Sequence, residues 1–328
     1  MVNISIGEIR LRLGENFCNK FENVFGGSFF EKILRGFSCE RKPCVRVNTL
    51  KTSCAEMMKK FRETGVGFER IPFLADSLII KNKNEKFFED LEIYKNGEIY
   101  FQGVSSQLPA VFLGCKSGEK VLDMCAAPGS KTAQIGIFMG NRGEILANEF
   151  DKIRAEKLKF TLDRQGVSIA KIRLGDGVSL GHEFPETFDK VLLDAPCSAE
   201  GRINISEPRS YKFWSEKVVK KCADLQKRLI LSGFKALKKG GVLVYSTCTL
   251  APEEDEEIVN FLLEKGGDEV EILKLNLVGF EKYLLPVKVK NCLKIMPSEV
   301  CEGFFVAGFR KKGSRKVSCA FFLAIVLL

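Results

Sequence analysis

The segment Val121-Leu122-Asp123-Met124-Cys125-Ala126-Ala127-Pro128-Gly129-Ser130-Lys131-Thr132 reads as a strand end, a loop of small residues and a helix start. Small side chains let a backbone approach a ligand closely at a helix N-terminus. Ser130-Lys131-Thr132 resembles the tail of a phosphate-binding loop, but that loop needs glycine where Cys125 and Ser130 stand. A nucleoside cofactor is the better expectation.

Outward from this segment the chain alternates strand, glycine-containing turn and helix. Short apolar runs at Lys120–Met124, Glu144–Asn148, Ala170–Leu174, Lys190–Leu193 and Gly241–Tyr245 suit parallel strands buried on both faces. Helical stretches cover Asp151–Gln165 and Glu216–Leu237, the latter stopped by Lys238-Lys239-Gly240-Gly241. The pattern predicts an α/β fold with an open, doubly wound sheet, which binds ligands at the carboxyl ends of its strands. The first hundred residues differ, with helices near Phe29–Phe37 and Ala55–Thr64 and strands around Ser77–Lys81 and Glu98–Phe101. We therefore expect an α+β unit over residues 1–98, a catalytic unit over 99–312 and a tail over 313–328.

The 328 residues carry a net charge of +9, compatible with a polyanionic partner without selecting one. Twelve cysteines are scattered with no C-x-x-C pair, and a single histidine, His182, leaves little for a Cys/His metal site. Reduced thiols in an intracellular compartment (cytoplasm or nucleus), and no metal, are expected. The basic run Arg310 to Lys316 precedes an apolar tail, Val317–Leu328, too short to cross a bilayer.

Strand ends carry the candidate chemistry. Glu149 closes the second strand, placed either to accept from ribose hydroxyls or as a surface acid. Asp176, after the third, could meet an adenine amino group or belong to a Gly-Asp-Gly turn. The fourth strand runs into Asp194-Ala195-Pro196-Cys197-Ser198 and the fifth into Ser246-Thr247-Cys248-Thr249, so two cysteines and an acid would face one crevice. A thiolate adding to C6 of cytosine makes C5 an enamine carbon able to take a methyl group. An acid at N3 stabilises the addition, and the C5 proton must leave before the sulfur departs. Pro252 and the acids Glu253 to Glu257 read as a helix start that both lowers and raises a nearby thiol pKa. The only tryptophan, Trp214, either stacks on bases or packs on the domain.

As an ordered set over roughly residues 40 to 312, these motifs resemble the Nol/Nop/Sun (RsmB-like) family of RNA 5-methylcytosine methyltransferases. The matching segments are the cofactor loop, Asp-Ala-Pro-Cys-Ser, Tyr-Ser-Thr-Cys-Thr with Pro-Glu-Glu-Asp-Glu, and Gly303-Phe304-Phe305-Val306-Ala307. Arg46-Val47-Asn48-Thr49-Leu50-Lys51 and Gln102 with Ser105-Ser106 also fit. The resemblance implies a Rossmann-like class I methyltransferase sheet after a small RNA-recognition-like domain. It implies S-adenosylmethionine held by Cys125, Ala126, Ala127, Pro128, Gly129, Ser130, Lys131, Glu149, Asp176 and Asp194, with Arg154 supporting cofactor or RNA. Cys248 would attack the base, Asp194 would assist, and Cys197 would help release the product. Arg46, Asn48 and Lys51 are the candidate RNA contacts. A monomer acting on tRNA or rRNA is expected, the compact chain resembling tRNA-acting members. The rival from another class is a non-catalytic ribosome-assembly factor of the same fold. Ser130 and Ala199 stand where the family has glycine, and Ala199 would be strained if its φ is positive.

Overall fold

A computed structural model describes residues 4–313, so the apolar tail lies outside the described residues. Two sheets organise them. The smaller is antiparallel in the order β2-β3-β1-β4, from β1 (Cys44–Val47), β2 (Phe68–Ile71), β3 (Leu74–Ile80) and β4 (Ile99–Phe101). Helices Cys54–Glu63 and Glu85–Glu89 cover it, burying Met57, Phe61 and Phe88 against Val45, Val47, Leu78 and Ile80. Because β4 pairs with β1, this sheet extends three residues past the boundary expected at residue 98.

The larger sheet holds β5 (Lys120–Asp123), β6 (Glu144–Glu149), β7 (Ala170–Leu174), β8 (Phe188–Asp194) and β9 (Leu237–Thr247), parallel in the order β7-β6-β5-β8-β9. Strand order reverses between β5 and β8, which opens a crevice beyond their carboxyl ends. Helix Glu216–Ala236 packs Leu229, Ile230 and Phe234 on one face. Helix Val104–Leu113 packs Leu108, Phe112 and Leu113 on the other. The expected doubly wound α/β fold is present. An antiparallel strand, β13 (Phe304–Lys311), adds alongside β9. It carries β10 (Val270–Leu273) and β12 (Leu293–Ile295), and β11 (Leu284–Leu285) borders β12.

Three local expectations are corrected. Helix Glu216–Ala236 ends before Lys238, and Leu237 already pairs with Phe188 in β8. Lys238 to Gly241 then bulge out, with Gly240 at φ +83, before Val242 pairs with Lys190. The acidic helix begins at Glu256, since Pro252 to Asp255 form turns. Finally, the helices Ile6–Leu13, Glu15–Phe25 and Gly27–Ser38 share no core with the smaller sheet. They bury Phe17, Phe21, Phe30 and Phe37 against Ile203, Ile205, Val219 and Leu250 of the larger unit.

Candidate active site

A cleft of about 600 Å3 opens where the two units meet. Lys42, Pro43, Tyr100 and Phe101 line one side, and Lys131, Asp194, Cys197, Arg202 and Cys248 line the other. Asp194 ends β8 and pairs in register with Ser246 of β9, so the residues that follow enter the cleft side by side. The sulfurs of Cys197 and Cys248 are 3.2 Å apart. The amide of Gly201 donates to the Cys248 carbonyl at 2.9 Å and holds that turn. Hydrogen bonding to Cys248, with burial, raises the Cys197 pKa well above its ordinary value. Cys197 therefore keeps its proton and can donate it toward the Cys248 sulfur.

Asp194 is fixed from two sides. Lys131 places its ammonium 2.8 Å from Oδ2, and the Ser246 hydroxyl donates to Oδ1 at 2.7 Å. Lys131 also donates to Ser106 at 2.9 Å, which ties the cofactor loop to helix Val104–Leu113. Behind the loop, Asp123 is buried and accepts from Thr132 at 2.7 Å. Burial pushes its carboxyl up to about 7, although that hydrogen bond opposes the shift.

The loop itself is a tight cradle. Gly129 has φ +104, and a side chain there would meet Leu158 and Thr161 at 3.0 Å. Cys125, Ala127, Pro128, Ser130, Lys131 and Arg154 face the cleft, whereas Ala126 and Gly129 pack behind. Glu149 ends β6 almost fully buried. Its Oε1 accepts from the amides of Phe150 and Asp151 at 2.9 and 3.0 Å and lies 3.5 Å from Arg154. Those contacts leave Oε2 for a ribose hydroxyl. Arg154 also donates to the Ala127 carbonyl at 2.8 Å. Asp176 is exposed beyond β7, its Oδ1 accepting from the Val178 amide at 2.9 Å. These residues fit a nucleoside cofactor with a charged methionine end: a close-approach loop, a buried acid for the ribose, and Asp194 at the strand end.

Arg46, Asn48 and Lys51, the expected RNA contacts, lie at the junction of the two units. Asn48 is fully buried and donates to the carbonyls of Gly97 and Gln165 at 2.9 and 2.8 Å. Arg46 is buried beside Tyr100, and burial lowers its pKa to about 10. Lys51 is exposed, but its ammonium donates to the carbonyls of Asn96 and Arg164 at 2.7 and 2.6 Å. Neither terminal nitrogen of Arg46 has a hydrogen-bond partner among the described residues, whereas Asn48 and Lys51 are hydrogen-bonded across the junction. Trp214 takes the packing role. Its ring lies 4.9 Å from that of Phe17, and its Nε1 donates to Glu200 at 2.6 Å.

The side chains that sequence reasoning missed are Ser106, Ser246, Arg202, Glu200 and Glu254. Ser246 was legible, since it stands in the last residues of β9, two before Cys248. The buried acids gave no signal, because their partners come from separate segments. Ala199, standing for a glycine, does adopt φ +64, a left-handed conformation costing about 1–2 kcal/mol for an L-residue.

Among the described residues no cluster of three His, Cys, Asp or Glu side chains could hold a metal. No described helix is long and apolar enough to cross a membrane.

A Rossmann-like sheet with two thiols and an acid at the ends of its fourth and fifth parallel strands defines a class of methyltransferase fold. The chain belongs to the 16S rRNA methyltransferase RsmB/F family, whose model matches residues 110–310. It is 41% identical over 281 residues to a tRNA (cytosine(49)-C(5))-methyltransferase of Pyrococcus abyssi, covering 82% of this chain and 88% of that protein. It is 40% identical over 283 residues to ribosomal RNA small subunit methyltransferase F of Vibrio parahaemolyticus, covering 84% of this chain but 59% of that protein. The chain thus spans about three-fifths of the length of that relative. A solved methyltransferase homologue from Pyrococcus horikoshii superposes with a TM-score of 0.80 at 32% identity, over 94% of this chain and all of that one.

Proposed function

We propose that the chain transfers a methyl group from S-adenosylmethionine to C5 of cytosine in RNA, with tRNA the favoured substrate. The observation that carries this reading is the pair of sulfurs 3.2 Å apart beside Asp194 in one cleft. The cofactor, when bound, supplies an electrophilic methyl group. Cys248 adds to C6 of the base, forming an S–C6 bond and placing electron density on C5. Asp194, held by Lys131 and Ser246, hydrogen-bonds the polar edge of the ring and stabilises N3 once that atom gains a proton. After methylation the C5 proton passes to water in the cleft, the C5–H electrons form the C5–C6 double bond, and the S–C6 electrons return to Cys248 as the base regains aromaticity. Cys197, in contact with the departing sulfur, assists that release.

Coverage of 88% of the tRNA enzyme, against 59% of the rRNA enzyme, favours tRNA. The cytosine must be unpaired or flipped to reach the cleft. We assign RNA positioning to the smaller sheet and its helices, whose Lys42, Tyr100 and Phe101 line that cleft. A monomer in a reducing intracellular compartment suits free thiols at the site.

Methyl transfer from labelled cofactor to tRNA tests the reading. Cys248→Ala should abolish transfer, and Cys197→Ala should leave protein covalently attached to RNA on a denaturing gel. An adduct from the first variant and none from the second would invert the two roles. Cofactor binding without transfer to any RNA would instead favour an assembly factor.

A further inference from the structure

Immediately behind the two sulfurs lies a buried cluster that the reaction outlined above does not use. Ser198 follows Cys197, and Thr249 follows Cys248. Their hydroxyls are 3.1 Å apart, and both reach the same buried carboxylate, Glu200. Ser198 Oγ also contacts Oε1 of a second buried acid, Glu254. The far oxygen of Glu254 accepts from the Ser198 amide at 3.1 Å and from Gln226 at 2.7 Å. Gln226 in turn donates to the Pro196 carbonyl at 2.8 Å. Trp214 completes the shell of Glu200.

Hydrogen counting constrains where the proton sits. A serine hydroxyl has one hydrogen and cannot donate to two carboxylates at once. Glu200 already accepts from the Trp214 indole and the Thr249 hydroxyl, which stabilises its ionised form, and we assign it the Ser198 hydrogen as well. Glu254 is then assigned the shared proton and donates it to Ser198 Oγ. Burial, with the nearby Glu200 charge, pushes the Glu254 pKa up to about 7, in the same direction. The result is one chain, Glu254 to Ser198 to Glu200, with Thr249 joining from the other cysteine turn.

We propose that Glu200 and Glu254, sharing one proton, clasp the two cysteine turns together and act as positioning residues that set the separation of Cys197 and Cys248. The inference builds on the covalent reading of the site, because product release depends on those sulfurs meeting. The clasp holds both turns through the residue after each cysteine, so its loss lets the thiols drift without removing either.

Two readouts test it. The first needs no methyl transfer: mild oxidation by diamide, which takes two hydrogens from a thiol pair and leaves a disulfide. The rate at which the peptides carrying Cys197 and Cys248 become cross-linked is followed by mass spectrometry. Glu200→Gln, which replaces an acceptor oxygen with a donor, should slow that cross-link by tenfold or more. Glu254→Gln keeps a donor opposite Ser198 and should stay within about threefold of the wild type, since an amide N–H replaces the acid O–H. The second readout is RNA adduct on denaturing gels, which should accumulate in Glu200→Gln as in Cys197→Ala. Should Glu200→Gln fail to fold, Ser198→Ala removes the bridging hydroxyl and must give the same slowing. Equal cross-linking rates in wild type and Glu200→Gln, or in the Ser198→Ala substitute, would overturn the clasp. So would a Glu254→Gln defect as large as that of Glu200→Gln. If the wild type transfers no methyl group while the cross-linking asymmetry holds, the catalytic reading fails and the clasp stands.

Discussion

Glu254 shows how far a single side chain departs from its solution behaviour. Its carboxyl has an ordinary pKa of 4.5 and is pushed to about 7 by burial, with Glu200 adding to the shift. The fold therefore favours the protonated form. That contribution is fully present below about pH 4.5 and is lost as pH rises through about 7. Asp123 is shifted the same way, also to about 7 and also by burial. Wild-type stability measured by urea unfolding should fall between pH 5 and pH 8. Glu254→Gln, which cannot ionise, should flatten that fall by roughly 1–3 kcal/mol. Parallel pH profiles for the two proteins would contradict the protonation state assigned to Glu254. At this scale the sequence revealed which thiols and acid share the cleft better than what holds them there. Cys197, Cys248 and Asp194 were legible because strand ends gather at one crevice. Glu200 and Glu254 were not, because they meet only when a turn after β8 folds onto a turn after β9. The burial of Arg46 and Asn48 was not legible, because charge and polarity look alike in sequence whether a side chain is solvated or buried.

The same contrast holds for elements. The five parallel strands were legible as apolar runs because burial on both faces removes polar alternation. The antiparallel extension β10 to β13 was not, since its shortest strands have only two to four residues and too few positions to show a period. Yet β12 answers the question left by the acids after Cys248. Lys294 of β12 is fully buried, with its ammonium 3.0 Å from Asp255 and 2.8 Å from Glu256. Glu253 pairs with Lys20 at 2.5 Å. Glu254 is hydrogen-bonded by the Ser198 amide and Gln226, and Glu257 is exposed. Four of the five acids are thus held by partners. Lys294→Met would leave Asp255 and Glu256 buried without their cation. A loss of about 3–5 kcal/mol is expected from breaking such a pair on one side. Thermal and urea unfolding read the loss directly, and a variant as stable as wild type would show that the two acids find other compensation.

For the whole molecule, the decisive feature is that the cleft has walls from both units, so their junction sets its width. That junction is buried and mixed: Phe73 and Leu74 share an apolar core with Leu108 and Phe280, and a set of polar contacts lies beside it. Asn48 bridges the Gly97 and Gln165 carbonyls, and its Oδ1 accepts from the Leu50 amide at 3.1 Å. Gln102 donates to Gln134 at 3.1 Å, and Ser77 donates to Gln107 at 2.6 Å. Gly97 has φ +67, and any side chain there would press on the Arg164 carbonyl. Such contacts are directional, so removing one partner leaves groups unsatisfied rather than merely less packed. Asn48→Ala leaves the Gln165 carbonyl and the Leu50 amide without their partner, while the Gly97 carbonyl keeps the Gln165 side chain at 3.3 Å, and should cost about 1–3 kcal/mol. It should also let the smaller sheet shift against helix Lys152–Gln165. The cofactor loop belongs wholly to the larger unit, whereas the function proposed above assigns RNA positioning to the smaller one. We therefore expect Asn48→Ala to weaken RNA binding, read by fluorescence anisotropy, several times more than cofactor binding, read by calorimetry. RNA affinity should fall further as salt is raised, because phosphate contacts release counterions. Equal losses for both ligands would mean that the smaller unit supports the fold as a whole and does not set the cleft.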